Sequence, residues 1–294
     1  MNIVITIPAY NEERTLAGVL QDISKVMSSL KYNSKLLVVD DGSKDNTSTI
    51  AKKNGAIVIS HPRNYGLAET FRTEMQECLK LKADVIIHTD ADGQYDPSEI
   101  PKLIKEVEKG NDLVLGSRFL GKIESMSLLK RLGNRAFSTV ISKLIKQKIS
   151  DGQTGFRAFT SDVAKIPIIS NHTYTQEQII RASRGKFKIK EVPIHFLKRG
   201  GNTKSRLMSN PIDYAIKAWI NLIRIYRDYE PLKFFGYVGF SFIALGVLLS
   251  VYILINFIQF GAVGGIPRVI LATLFMLTGL QILIFGFLAD MNRK

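Results

Sequence analysis

Two rhythms of apolar and polar residues alternate through the first 115 positions. Ile3-Val-Ile-Thr-Ile7, Lys35 to Val39, Ala56 to Ile59, Asp84 to Ile87 and Leu113 to Leu115 are short runs with β-branched residues, and they predict strands. Between them, Glu12 to Leu30, Asp45 to Lys53, Gly66 to Lys80 and Pro97 to Lys109 carry helical patterns. Repeated strand–helix units predict an α/β domain whose sheet is mostly parallel and covered by helices on both faces. In such sheets ligands bind beyond the carboxyl ends of the strands.

The rhythm is lost near the C-terminus. No residue is charged in the 34 positions between Lys233 and Arg268, nor in the 21 between Arg268 and Asp290. A helix that crosses a bilayer needs about 20 apolar residues. Gly261-Ala-Val-Gly-Gly-Ile-Pro267 reads as a tight turn between the runs. The expectation is a transmembrane hairpin over residues 232–290, with spans at about 234–258 and 268–289. Arg224, Arg227 and Lys233 precede it and Arg293 and Lys294 follow it, which puts both ends, and the catalytic domain, on the cytoplasmic side; Arg268 at the outer end dissents.

Two further stripes are amphipathic. Residues 127–149 hold Lys130, Arg131, Arg135, Lys143, Lys146 and Lys148 with no acidic residue. Leu129, Leu132, Phe137, Val140, Ile141, Leu144 and Ile145 recur there at helical spacing. Ile212, Ile216, Trp219, Ile220 and Ile223 mark a second stripe within 207–231. Both fit a helix lying in a membrane interface, with packing against the domain as the competing reading for the first.

Net charge sharpens this picture. The chain has 294 residues and a formal charge of +14, which points to an anionic partner. Its single cysteine, Cys78, rules out an internal disulfide and fits a reducing compartment, and Met1-Asn2 leads into a strand rather than a signal peptide.

Candidate chemistry gathers at the predicted strand ends. They read Pro8-Ala-Tyr-Asn-Glu-Glu13, Asp40-Asp-Gly-Ser43 followed by Asp45 and Thr47, His88-Thr-Asp-Ala-Asp-Gly-Gln94, and Gly116-Ser-Arg118. Each tip alone could be a turn or a cap; four on one sheet edge form a site. Asp90 and Asp92, two apart on an extended chain, point the same way and suit a hard divalent cation. An EF-hand starting at Asp90 would need Gly and Glu where Tyr95 and Pro101 stand. No phosphate-binding loop of the Gly-x-x-x-x-Gly-Lys type exists, and no Gly-x-Gly-x-x-Gly follows the first strand.

Taken in order with Thr154-Gly-Phe-Arg157, these motifs resemble the family-2 glycosyltransferases of the GT-A, Rossmann-like fold, and within them the polyprenyl-phosphate hexosyltransferases of the dolichyl-phosphate mannose synthase type. The resemblance covers residues 1–206. It implies inverting transfer of a hexose from a nucleoside-diphosphate sugar, GDP-mannose or UDP-glucose, to a polyprenyl or dolichyl phosphate. It implies that Pro8, Tyr10, Glu12, Val39 and Asp41 bind the nucleotide, and that Asp90, Ala91, Asp92 and Gln94 form the metal and diphosphate segment, with Mg2+ or Mn2+ as cofactor on Asp90, Asp92 and Gln94. Arg118 matches an arginine at the reacting phosphates, and Asp92 and Arg118 are the catalytic expectation. Arg199 and Lys204 resemble a basic loop that closes on the substrates. For the lipid phosphate the expected contacts are Lys130, Arg131, Asn134, Arg135 and Arg157.

The chemistry needs little more. A lipid monophosphate has a second pKa of about 6 and is largely ionised at neutral pH, so no strong base is required. His88 sits in a strand pattern and reads as structural. Processive synthases of the same fold carry Gln-x-x-Arg-Trp, but here Gln178-Ile-Ile-Arg181 is followed by Ala182. A non-catalytic anion-binding module would leave the strand-end carboxylates unexplained. The partners expected are a nucleotide sugar, a polyprenyl phosphate and the bilayer, without nucleic acid; homo-oligomerisation is left open.

Overall fold

A computed structural model describes residues 1–171, 174–198, 211–263 and 265–292. The chain divides into two compact units, Met1–Ala218 and Trp219–Lys294.

The first unit is built on one seven-stranded sheet. Its strands are β1 (Asn2–Ala9), β2 (Asn33–Asp40), β3 (Ile57–Ser60), β4 (Val85–His88), β5 (Leu113–Ile123), β6 (Arg157–Thr160) and β7 (Ile189–Phe196). They lie in the order β3-β2-β1-β4-β6-β5-β7. All neighbours are parallel except β6, which runs antiparallel to both β4 and β5. The five predicted strands are present, and β5 runs on eight residues past its predicted end to Ile123.

Helices α1 (Leu16–Ser28), α2 (Thr47–Lys53), α3 (Leu67–Lys80) and α4 (Ile100–Glu108) fill the predicted connections. Leu16, Val19, Leu20, Ile23 and Met27 of α1 are buried at the i, i+3, i+4, i+7 spacing of one helix face. They pack with Ile3, Ile5 and Ile7 of β1 and with Ile100, Leu103 and Ile104 of α4 in one core. Each such side chain contributes roughly 1.5–3 kcal/mol on burial. Helix α1 begins four residues later than the sequence pattern predicts. Asn11 takes a left-handed φ of 52° and the Glu12 N–H is held by Thr47 Oγ1, so this stretch forms a turn at the sheet edge.

Beyond β5 come α5 (Leu128–Ile145), α6 (Ser161–Ala164), α7 (Tyr174–Arg184) and α8 (Pro211–Tyr229). Helix α5 changes character along its length. Phe137 and Ile141 are buried on the domain, while Leu128, Leu129 and Leu132 are exposed. The competing reading therefore applies to the second half of the helix. On α8, Ile216, Trp219, Ile220 and Ile223 are exposed at one-face spacing; the Ile212 side chain lies outside the described residues.

The second unit contains α9 (Pro231–Phe260) and α10 (Ile266–Met291), both long and apolar enough to cross a bilayer. They pack through small residues. A Cβ on Gly239 would stand 2.8 Å from the Gly279 carbonyl oxygen, and one on Gly279 would stand 2.7 Å from the Gly239 carbonyl oxygen. Gly246 meets the Ala272 carbonyl in the same way, and Gly286 meets Phe235.

Candidate active site

Backbone and short polar side chains staple the ends of β1 and β2. The Asn11 N–H donates to Ser43 Oγ at 2.8 Å, the Lys44 N–H to Asn11 Oδ1 at 2.8 Å, and the Glu12 N–H to Thr47 Oγ1 at 2.8 Å. Asp40 accepts from the Ser43 N–H, and Asp45 accepts from the Thr47 N–H and hydroxyl, so these two carboxylates serve the turn and the start of α2.

Next to this stapled edge lies a cleft of about 350 Å³. Of the sequence-predicted residues, Pro8, Tyr10, Glu12, Asp41, Asp90, Ala91 and Asp92 line it. Asn64, Gly66, Leu67 and Thr70 also line it, and sequence reasoning missed them. Asn64 and Gly66 come from the β3–α3 connection, which carries no carboxylate to mark it, and Leu67 and Thr70 from the start of α3. Val39 is fully buried in β2 and paired with Pro8 in the sheet, with its side chain in the core, so it reaches the cleft by its main chain if at all.

Asp90 and Asp92 leave the end of β4 together. Burial and the Asp92 carboxylate push the Asp90 carboxyl up to about 6. Its oxygens rest on the backbone of Gly155, where a Cβ would lie 2.9 Å from Oδ1 and 3.1 Å from Oδ2. Tyr95 fixes the same loop, its hydroxyl accepting from the Gly155 N–H at 2.9 Å. Asp92 Oδ1 accepts from the Gln94 N–H at 3.0 Å. The Gln94 side-chain amide points toward the end of β7, with Nε2 3.5 Å from the Leu197 carbonyl, and Gln94 is not among the residues that line the cleft.

Among the described residues no group of three or more His, Cys, Asp and Glu side chains has metal-ligand spacing. The donors on offer are two adjacent carboxylates. That set suits a cation of the Mg2+ or Mn2+ kind, which uses one or two carboxylates and completes its shell with substrate phosphates and water. Burial and the neighbouring Asp92 carboxylate both disfavour a charged Asp90, and a cation held by the two would relieve that.

Arg118 is committed more deeply than its motif indicates. Its Nε donates to Asp151 Oδ2 at 2.6 Å and its Nη2 to Asp151 Oδ1 at 2.7 Å, a forked pair with both side chains buried. Burial opposes the charge, but the Tyr95 hydroxyl and the Asp151 carboxylate outweigh it and raise the Arg118 pKa. The guanidinium also lies over the Phe196 ring at 5.3 Å. Asp151 was missed because Ser150-Asp-Gly152 reads as an ordinary turn.

Beneath the carboxylates lies a second buried chain of contacts. His88 Nδ1 donates to the Gly155 carbonyl at 2.6 Å, Nε2 faces Glu74 Oε2, and Glu74 Oε1 accepts from the Thr6 hydroxyl at 3.0 Å. This agrees with the structural reading of His88.

The predicted lipid-phosphate residues separate. Lys130, Arg131 and Arg135 lie on the first turns of α5 with solvent access, and Arg135 sits over the Phe119 ring. The other two are turned inward. Asn134 is buried, its amide near Met126 Sδ. Arg157 is 1% exposed, and its guanidinium donates to the Thr154 and Thr175 carbonyls and to Gln178 Oε1, tying the β6 loop to α7. Burial lowers its pKa to about 10. Arg199 and Lys204 lie outside the described residues.

The chain also matches known proteins in sequence and in fold. Residues 4–166 match the family model described as Glycosyl transferase family 2. A dolichyl-phosphate hexose transferase of Haloferax volcanii is 33% identical over 207 residues, covering 69% of this chain and 86% of the relative. An undecaprenyl-phosphate 4-deoxy-4-formamido-L-arabinose transferase of Pseudomonas fluorescens is 29% identical over 295 residues, covering 97% of this chain and 83% of the relative. In fold, the chain is similar to glucosyl-3-phosphoglycerate synthase from Mycobacterium tuberculosis, solved with Mn2+ and UDP-glucose, with a TM-score of 0.59 and 20% identity over 75% of this chain and 78% of that one. The strand-end carboxylates, the mixed sheet that presents them and the family model converge, and the chain belongs to glycosyl transferase family 2.

Proposed function

We propose that the protein transfers a hexose from a nucleoside-diphosphate sugar to a polyprenyl or dolichyl phosphate at a membrane surface, with inversion at the sugar carbon. The observation that carries this reading is the Asp90–Asp92 pair opening into the same cleft as Asp41, two strands away. Relatives named as dolichyl- and undecaprenyl-phosphate transferases support the acceptor class. The long apolar helices α9 and α10 support membrane attachment, and the flanking basic residues support a cytoplasmic catalytic domain.

In this reading Asp90 and Asp92 hold a divalent cation, which would neutralise charge on the departing diphosphate. Pro8, Tyr10, Glu12 and Asp41 position the nucleoside. Asp151 holds Arg118 charged and rigid beside the site, so that its field is present before charge develops. The acceptor phosphate oxygen is ionised at neutral pH and attacks without a protein base. Lys130, Arg131 and Arg135, with Leu128, Leu129 and Leu132 exposed beside them, bring α5 to an anionic, apolar surface.

The test offers labelled sugar nucleotides to membranes holding the full-length protein, with added polyprenyl phosphate and Mg2+ or Mn2+. Label in the lipid fraction that disappears with chelator is the expected result. A protein that binds anions but transfers no label from any donor would defeat the reading.

A further inference from the structure

The cleft has two ends of different chemistry. Asp90 and Asp92 follow β4, Asp41 follows β2, and β1 lies between. Two strand spacings place the ends roughly 10 Å apart. With the diphosphate at the β4 end, Asp41 is left to meet the nucleoside. This inference rests on the nucleotide-sugar reading above and asks which base the Asp41 end takes.

A carboxylate has about four acceptor positions, two on each oxygen. Asp41 has already used three. Oδ1 accepts from His61 Nδ1 at 2.8 Å and from the Tyr65 N–H at 2.9 Å. Oδ2 accepts from the Gly66 N–H at 2.9 Å. One acceptor position remains, and it is on Oδ2.

The surroundings prevent a rearrangement. The Asp41 N–H is tied to the Ala9 carbonyl at 2.8 Å, and the His61 N–H to the Asp40 carbonyl at 2.8 Å. The other ring nitrogen of His61 meets Thr73 Oγ1 at 2.9 Å, so the imidazole is held on both sides. Gly42, with φ at 73°, lets the 61–66 loop press on β2; a Cβ there would lie 2.5–2.8 Å from the Arg63 and Asn64 backbone. The loop that fills Oδ1 is therefore clamped in place.

Guanine presents two adjacent donors, N1–H and the N2 amino group, which pair with a carboxylate by taking one acceptor on each oxygen. Oδ1 has none to give. Uracil presents one donor, N3–H, between two carbonyl oxygens. One acceptor on Oδ2 satisfies it, and the Asn64 amide in the same cleft can donate to a flanking carbonyl. Cytosine has no N–H at position 3.

We propose that the donor is a uridine-diphosphate sugar, with Asp41 Oδ2 accepting the uracil N3–H and His61 excluding guanine by occupying Oδ1. His61 is thus a specificity-determining residue that acts through Asp41 rather than by touching the base.

The experiment measures binding of UDP, GDP and CDP to the full-length protein in detergent with Mn2+. UDP should bind tighter than GDP and CDP by on the order of tenfold or more, because guanine leaves a donor unpaired against the filled Oδ1 and cytosine turns an unprotonated ring nitrogen toward a carboxylate. In His61→Phe one acceptor on Oδ1 is released, and the UDP-to-GDP ratio should shrink while UDP binding persists. GDP binding as tightly as UDP to the wild type overturns the proposal, as does CDP matching UDP. An unchanged ratio in His61→Phe removes His61 from the role. Failure of all three nucleotides to bind would bring down the nucleotide reading of the cleft itself, which is a different result from a preference for GDP.

Discussion

Glu74 Oε2 stands 3.3 Å from His88 Nε2, with both side chains sealed from solvent beneath the Asp90 carboxylate. The Gly155 carbonyl can only accept, so His88 Nδ1 carries its proton, and the second nitrogen faces an anion. Burial opposes the imidazolium, but Glu74 outweighs it and raises the His88 pKa. The stabilisation is fully present below the ordinary value of 6.5 and is lost as pH rises through the raised value. Glu74→Gln should lower stability by about 3–5 kcal/mol, the usual loss when a buried pair is broken. Denaturation of both proteins across this range should show a slope in the wild type that the variant lacks; parallel curves would contradict the pairing.

Gly155 is the floor under Asp90. A Cβ on Gly155 would press on both carboxylate oxygens, and the rest of that loop is fixed by Tyr95 and His88. Gly155→Ala should therefore displace the carboxylate rather than the loop. We expect sugar transfer to fall by about a hundredfold, since small displacements of an aligned group cost that much, while the thermal midpoint moves by only a few degrees. Steady-state transfer assays and a thermal scan on the same preparation check this.

Arg118 and Asp151 make a contrasting case. Asp151→Ala leaves a buried guanidinium without its fork and should cost about 3–5 kcal/mol. Asp92→Ala removes a carboxylate that accepts from the Gln94 N–H in the turn after β4, and should cost about 1 kcal/mol. Activity should vanish in both, but only the Asp151 variant should also unfold early in urea.

The raised Asp90 pKa predicts how cation binding follows pH. A carboxyl that titrates at about 6 must lose its proton to serve as a ligand. Manganese affinity in the presence of a nucleoside diphosphate should be flat above that value and weaken by up to about tenfold per pH unit below it. Manganese titrations read by magnetic resonance between pH 5 and 8 would show the break, and Asp90→Asn should flatten it.

Strands β1, β2 and β4 were legible because parallel strands buried on both faces read as unbroken apolar runs. β6 was not legible: it is four residues long and opens with Arg157, a charge that pattern reading assigns to the surface. β7 was hidden by Pro193, which is tolerated because β7 ends the sheet order. The same division runs through the site. Carboxylates clustered at strand ends announced themselves locally. Glu74, His61 and Asp151 acquire their meaning only through partners 14, 20 and 33 positions away, and no local pattern encodes such a pairing.

In α9 and α10, Gly239 and Gly279 press backbone on backbone, and no side chain stands between them at the crossing. Within a bilayer, apolar side chains would gain nothing by leaving lipid for one another, so the closeness of the two main chains would itself be the adhesive. The pair is consequently set to act as one broad blade instead of two separate rods. A single methyl group at either glycine would be a shim in the joint, prising open both arms along their length.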